Sequence, residues 1–238
     1  MIMKDLSIKI YADGAVVEEM LDALKSGVVT GFTTNPSLMK KAGITSYIAF
    51  AEEVLASITE YPVSFEVFAD DLETMEKEAI KIAGLGENVY VKIPITNSLG
   101  ETTIPLIRRL SEQGIKLNVT AIFTLDQVKE TVAAVKDGVP TIVSVFAGRV
   151  ADTGVDPEPL MKEALEICRY KQAVELLWAS PREVYNVYQA DRLGVDIITC
   201  TPAIINKLSL KDKDLNEYSL ETVQMFLKDS QSLGFSIL

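Results

Sequence analysis

The sequence predicts an α/β fold, a single (β/α)8 TIM barrel, and three observations carry that reading. Short apolar, β-branched runs alternate with amphipathic stretches along the chain. Eight such pairs can be counted, and they occupy only about 210 residues. The first pair is SIKIYA with a helix over 15–26, and the second is VVTGFT with a helix over 46–58. PVSFEVF precedes 71–83, NVYVKIP precedes 101–113, and IKLNVTAIF precedes 124–136. The last three are PTIVSVF with 158–169, AVELLWAS with 181–193, and DIITCT with 203–209; a further helix is expected near 218–232. Strands that are apolar on both faces and joined by helices belong in a parallel sheet, because helices must cover both of its sides. Eight units in a chain of this length favour closure over an open doubly wound sheet. The motifs that usually accompany the open sheet are missing too: no GxGxxG follows the first strand and no GxxxxGK[ST] occurs. No linker or low-complexity stretch divides the chain, so residues 1–238 read as one barrel domain with a C-terminal helix at about 218–232.

Composition narrows the chemistry. With 238 residues, 48% hydrophobic and 24% charged, the chain can bury a large core. A net charge of −11, with the 23 Lys and Arg residues dispersed, argues against nucleic acid or an anionic membrane as a partner, while a local basic site for a small anion still fits. No run approaches the roughly 20 apolar residues of a membrane span, and MIMKDLSIK lacks the apolar stretch of a signal peptide, so a cytoplasmic protein is expected. Cys168 and Cys200 lie far apart without CxxC spacing, which points to inert core thiols rather than a disulfide or a thiolate metal site. Histidine is absent, which excludes Ser-His-Asp and Cys-His nucleophiles and histidine-based zinc sites, and no metal is expected. Acid–base work falls to Asp, Glu, Lys, Tyr or a held water.

Side chains alternate along a strand, so residues two apart share a face. In VYVKIPIT, Val89, Val91 and Ile93 suit the helices, and Tyr90 and Lys92 point at the barrel axis. In the third strand Val63, Phe65 and Val67 form the apolar set, leaving Ser64, Glu66 and Phe68 inward. The same parity turns Tyr11 and Asp13, Thr33 and Asn35, Asn118 and Thr120, Ser144 and Phe146, and Trp178 and Ser180 toward the axis. Polar groups near the carboxyl ends of barrel strands are where active sites of this architecture sit. Singly, several have structural readings: Asn35 before Pro36 can open a helix, and Asn118 or Thr120 can bond a neighbouring backbone. Lys92 and Glu66 differ, because an unpaired buried charge is costly; they are either an ion pair or catalytic groups. In SPRE, Ser180 reads as an N-cap, Pro181 as the first helical residue and Glu183 as the close of a capping box, a helix start that is compatible with anion binding.

Taken together, these residues resemble the transaldolase family with its related fructose-6-phosphate aldolases, which are barrels of the class I aldolase type. FTTNPSL (32–38) is similar to that family's TTNPS signature and VKIP (91–94) to its Schiff-base lysine strand; NVTAIF (118–123), SVFAGRVAD (144–152) and ASPR (179–182) follow in the family's order. The resemblance covers about residues 7 to 208. It implies that Lys92 forms a Schiff base with a ketose carbonyl and that Asp13 is the base at the sugar C4 hydroxyl. Glu66 and Thr120 would hold a proton-relaying water. Thr33, Asn35, Asn118 and Ser144 would hold the hydroxyls of the three-carbon unit, and Arg149, Ser180 and Arg182 would bind the phosphate. No cofactor is implied, since the lysine does the electrophilic work. The implied partners are small-molecule sugar phosphates.

Within the family, transaldolases carry a glutamate on the third strand and a phenylalanine before the GR motif, where the aldolases tend to carry glutamine and tyrosine. Glu66 and Phe146 therefore favour transfer of a dihydroxyacetone unit from a ketose phosphate to an aldose phosphate acceptor. The competing readings are an aldolase that releases free dihydroxyacetone and a sugar-phosphate-binding barrel without chemistry; the latter should have lost Lys92, Asp13 or Glu66, and all three are present. Two departures bear on the substrate. Trp178 stands where the family usually has alanine, and Pro181 replaces a large apolar residue. On inward parity Trp178 either packs the core or lines the pocket; lining it would favour a modified ketose, such as a sulfonated one. Short family members form pentamers or decamers that exchange the last helix, so a homo-oligomer is expected; Leu220, Val223, Met225, Phe226 and Leu227 on that helix can serve such a contact or equally cover its own barrel.

Overall fold

The computed structural model of the protein describes residues 6–235 and 237. Eight strands form a closed parallel barrel in the order β1 to β8: Lys9–Asp13, Val29–Thr33, Val63–Glu66, Val89–Pro94, Leu117–Ile122, Thr141–Val145, Val174–Trp178 and Ile197–Cys200. The helices α1 to α6 are Val17–Lys25, Pro36–Lys41, Tyr47–Ser57, Leu72–Ala83, Ile104–Glu112 and Leu125–Ala134. The helices α7 to α11 are Ala147–Asp152, Glu158–Cys168, Tyr185–Leu193, Pro202–Asn206 and Leu215–Ser232. The expected (β/α)8 barrel is thus present, with helix bounds within four residues of those expected: most are trimmed, while α11 starts three residues earlier and α10 one residue earlier. Two short helices lie outside the eight expected pairs, α2, which Asn35 and Pro36 can open, and α7, which went unforeseen; both follow strand ends that face the barrel mouth. Of these, α2 has a clear local cause: the Asn35 side chain accepts from Leu38 N at 2.9 Å and Pro36 supplies the first helical φ. No helix among the described residues is long and apolar enough to cross a membrane.

Two apolar layers sort the strand residues. The outer layer joins Val63, Phe65, Val89, Val91 and Ile93 to helix residues such as Phe50, Met75 and Leu106. The inner cluster is smaller: Tyr11, Ile142, Leu177, Ala179 and Ile197, with Tyr90 and Phe146 against it. The Tyr11 ring fills this space because Gly31 on the neighbouring strand has no side chain; a Cβ there would sit 2.5 Å from the ring. On the amino-terminal side, Lys9 on β1 and Glu175 on β7 form an ion pair at 2.5 Å across β8.

Three expectations need correction. Trp178 does not face the barrel axis. It is fully buried in the outer layer with Leu176, paired to Val145 of β6, and Leu177 and Ala179 are the inward residues of this stretch. The cause is Ser180: its backbone is left-handed, with φ of +58°, so the alternation breaks just past the strand and counting back from Ser180 assigns the wrong face. Phe68 lies beyond the end of β3, half exposed, with its ring edge-on to Tyr47 at 4.8 Å. SPRE is not a helix start, since α9 begins at Tyr185; instead the Asn186 side chain accepts from Arg182 N at 2.7 Å and Glu183 N at 3.1 Å, tying down the loop.

Candidate active site

A cavity of about 610 Å³ opens at the carboxyl ends of the strands. Ten of the sequence-predicted site residues line it: Asp13, Thr33, Asn35, Glu66, Lys92, Thr120, Ser144, Phe146, Arg149 and Ser180. Parallel pairing sets their heights. Glu66 sits opposite Lys92, Lys92 opposite Asn118, and Asp13 opposite Thr33, so the five adjacent strands β1 to β5 each present a polar group near their carboxyl ends.

Lys92 is 8% exposed. Its Nζ lies 3.0 Å from Glu66 Oε2 and donates to the Thr34 carbonyl at 3.1 Å. The backbone of Glu66 is fixed in turn, because the Tyr47 hydroxyl donates to its carbonyl at 2.7 Å. Asp13 is the second carboxylate. It accepts from Thr33 Oγ1 at 2.8 Å and from Asn35 Nδ2 at 3.2 Å, and Thr33 Oγ1 lies 2.5 Å from Thr199 Oγ1 on β8. Burial lifts the Asp13 carboxyl above the usual carboxylate range, opposed by Lys92 and by the Thr33 and Asn35 hydrogen bonds. A buried carboxylate held this way is suited to accept a proton at a defined point.

The far wall is built from β5 and β6. Asn118 is fully buried behind the lining; it donates to Ser64 Oγ at 3.0 Å and accepts from Ser144 Oγ at 2.6 Å, which aims Ser144 at the cavity. The Thr120 hydroxyl is buried with no protein partner among the described residues, a position that suits a water or a ligand hydroxyl. Ala121 follows with φ of +58°, so Thr120 and Ala121 both reach the lining, the same break of alternation seen at Ser180.

The expected anion-binding side is built around α7. Gly148 N donates to the Ala179 carbonyl at 3.2 Å, and a Cβ at Gly148 would lie 1.6 Å from the Ser180 carbonyl oxygen. Only glycine permits this approach, which brings Arg149 on α7 beside Ser180. The Arg149 guanidinium rests over the Phe146 ring at 5.7 Å. Arg182 is not in the lining. Its guanidinium makes a two-pronged contact with Asp152, through Nε at 2.9 Å and through Nη2, and holds the Asp152 carboxyl below the usual range.

Among the lining residues that sequence reading missed are Thr199 and Lys41. Thr199 was legible in the alternation of DIITC, and Lys41 required seeing α2. Three cations, Lys41, Lys92 and Arg149, then face two carboxylates in a chain of net charge −11, so the cavity is locally suited to an anionic ligand. Trp178 lies in the outer layer and does not enter the cavity, so that ground for a modified ketose is gone.

Comparisons with known proteins follow the same direction. The family profile described as "Transaldolase/Fructose-6-phosphate aldolase" matches residues 10–237. A "Probable transaldolase" of Methanococcus maripaludis (strain C5) is 38% identical over 202 residues, covering 84% of this chain and 89% of that protein. One of Erythrobacter litoralis is 35% identical over 232 residues, covering 97% of this chain and all of that protein. Among solved structures, a 3-keto-L-gulonate-6-phosphate decarboxylase from Vibrio cholerae matches with a TM-score of 0.54 at 12% identity, over 82% of this chain and 88% of that one, a likeness of fold alone.

Proposed function

The chain belongs to the transaldolase/fructose-6-phosphate aldolase family, and from that premise we propose that it transfers a dihydroxyacetone unit from a ketose phosphate to an aldose phosphate through a Schiff base on Lys92. One observation carries the proposal: a nearly buried amine, 3.0 Å from a carboxylate, in a cavity whose other side holds a second carboxylate and an arginine. The neutral amine of Lys92 attacks the ketose C2 carbonyl, and loss of water leaves a protonated Schiff base. Asp13 takes the proton from the C4 hydroxyl, the C3–C4 bond breaks, and its electron pair moves into the iminium to form an enamine. The shortened aldehyde leaves. An acceptor aldehyde then takes its place, the enamine carbon attacks it, and Asp13 returns the proton. Glu66 and Thr120 hold the water that carries protons during Schiff-base formation and hydrolysis. Ser144, positioned by Asn118, and Thr33 and Asn35 bind the hydroxyls of the three-carbon unit. Arg149 and Ser180 bind the phosphate, and Arg182 joins them by exchanging the Asp152 carboxylate for it.

The test is borohydride reduction in the presence of fructose 6-phosphate and, separately, dihydroxyacetone, followed by peptide mass spectrometry. A three-carbon adduct on the Lys92 peptide is expected from both; its absence from both, with the protein folded, overturns the covalent reading. Transfer is favoured over release because Phe146 has no hydroxyl to protonate the enamine. Fructose 6-phosphate should therefore turn over slowly without an acceptor, and rapid turnover would assign the aldolase activity instead.

The state of assembly belongs to the same reading. No residue of α11 is buried, and Leu220, Val223, Phe226 and Leu227 are all more than half exposed. Apolar side chains in such number on one helix need cover, and a second copy of this chain supplies it. Sedimentation of the full chain should give a homo-oligomer, and a Phe226→Asp/Leu227→Asp variant should give smaller species.

A further inference from the structure

We infer that Thr199 is a positioning residue for the Asp13 base, an inference that rests on the reading of Asp13 given above. A hydroxyl has one proton to give. While Asp13 is ionised, Thr33 spends its proton on Asp13 Oδ1, at 2.8 Å. The 2.5 Å contact between the two threonines must then use the proton of Thr199, so the order of donation is Thr199 to Thr33 to Asp13. The donation crosses from β8 over β1 to Thr33 on β2 and returns to Asp13 on β1, and Thr199 is itself 9% exposed on the cavity lining.

This order has two consequences. A hydroxyl that accepts a hydrogen bond becomes a better donor, so Thr199 strengthens the bond from Thr33 to the carboxylate and favours its ionised form. Thr33 is also held to one rotamer, and with Asn35 on Oδ2 this sets the plane of the carboxylate toward the ligand. The other groups facing Asp13 act on the same balance. Lys92 from β4 favours the ionised form and Glu66 from β3 opposes it, while the Cys200 thiol on β8 is pushed up mainly by burial and further by Asp13, to about 12.

The experiment pairs Thr199→Val, which keeps the shape and removes the hydroxyl, with Thr199→Ser, which restores it. Titration of the Asp13 carboxyl by carbon NMR needs no substrate. In Thr199→Val its midpoint should move up by roughly half a pH unit, and kcat/KM should fall by roughly tenfold with its acidic limb moved the same way. Thr199→Ser should recover both. A midpoint that stays in place in Thr199→Val, or a Thr199→Ser variant as impaired as Thr199→Val, overturns the inference, the second outcome making the methyl group the part that matters. Asp13→Asn is measured beside them. If it retains turnover, the base assignment itself fails; if it loses turnover while Thr199→Val moves neither readout, only the role of Thr199 fails.

Discussion

Gly148→Ala adds one methyl group at a place where the structure has no room for it. The new Cβ would lie 1.6 Å from the Ser180 carbonyl oxygen, 2.6 Å from its carbon and 3.3 Å from Pro181 N. Ordinary contact begins near 3.4 Å, so the deficit at the oxygen is about 1.8 Å, and the obstacle is backbone that cannot rotate away. Gly148 does not have the left-handed backbone that favours glycine, so alanine strains nothing else. Relief requires α7 and the loop after β7 to separate, which breaks the hydrogen bond from Gly148 N to Ala179. Overpacking of this kind costs about 3 kcal/mol, the upper part of the usual range. For a protein of this size that lowers Tm by roughly 6–12 °C. The catalytic effect should be selective. Arg149 and Ser180 move apart by more than 1 Å, and misplacement on that scale costs about 100-fold. We expect kcat/KM for a phosphorylated ketose to fall by about that factor, while borohydride trapping of unphosphorylated dihydroxyacetone on Lys92 stays close to wild type. A Gly148→Ala protein within 2 °C and threefold of wild type would refute the reasoning.

Two further predictions use the same assays. Lys92→Ala should lose all adduct formation and turnover while keeping the circular dichroism of the barrel; turnover near wild type would end the covalent mechanism. Asp13→Asn should abolish transfer and yet stabilise the fold at neutral pH. The sign follows from burial: the carboxyl titrates higher in the folded state than in the unfolded chain, so the ionised group costs stability once pH rises through the folded value. Calorimetry should find Asp13→Asn ahead of wild type at pH 7, with the gap closing at acid pH below the ordinary carboxylate value near 3.8. A variant less stable than wild type throughout would show that hydrogen bonding to the carboxylate outweighs its desolvation.

Much of this site could be read from alternation alone. Lys92 and Glu66 share the inward face of adjacent strands and meet at 3.0 Å, because parallel pairing puts them in register and period-two geometry does not drift over four to six residues. Alternation fails where backbone dihedrals leave the β region. The residues with φ of +58° at 121 and 180 are not glycine, so nothing in their identity announces the break, and Trp178 was misplaced for that reason. Short helices are similarly hard to see: α2 and α7 have six residues each, fewer than two turns, so periodicity cannot register them. The pairing of Arg182 with Asp152 joins residues 30 apart, one in the loop after β7 and one at the end of α7, and only the folded chain shows which anion an arginine has chosen.

The inner cluster of Tyr11, Tyr90, Ile142, Leu177 and Ile197 makes the cavity a cul-de-sac. In the proposed transfer the first aldehyde would leave through the mouth by which the ketose came, and the acceptor would wait for that passage to clear. A single doorway therefore imposes a queue on the two substrates: initial-rate plots against one at fixed levels of the other should be parallel lines, and excess acceptor should compete with the donor for the empty vessel.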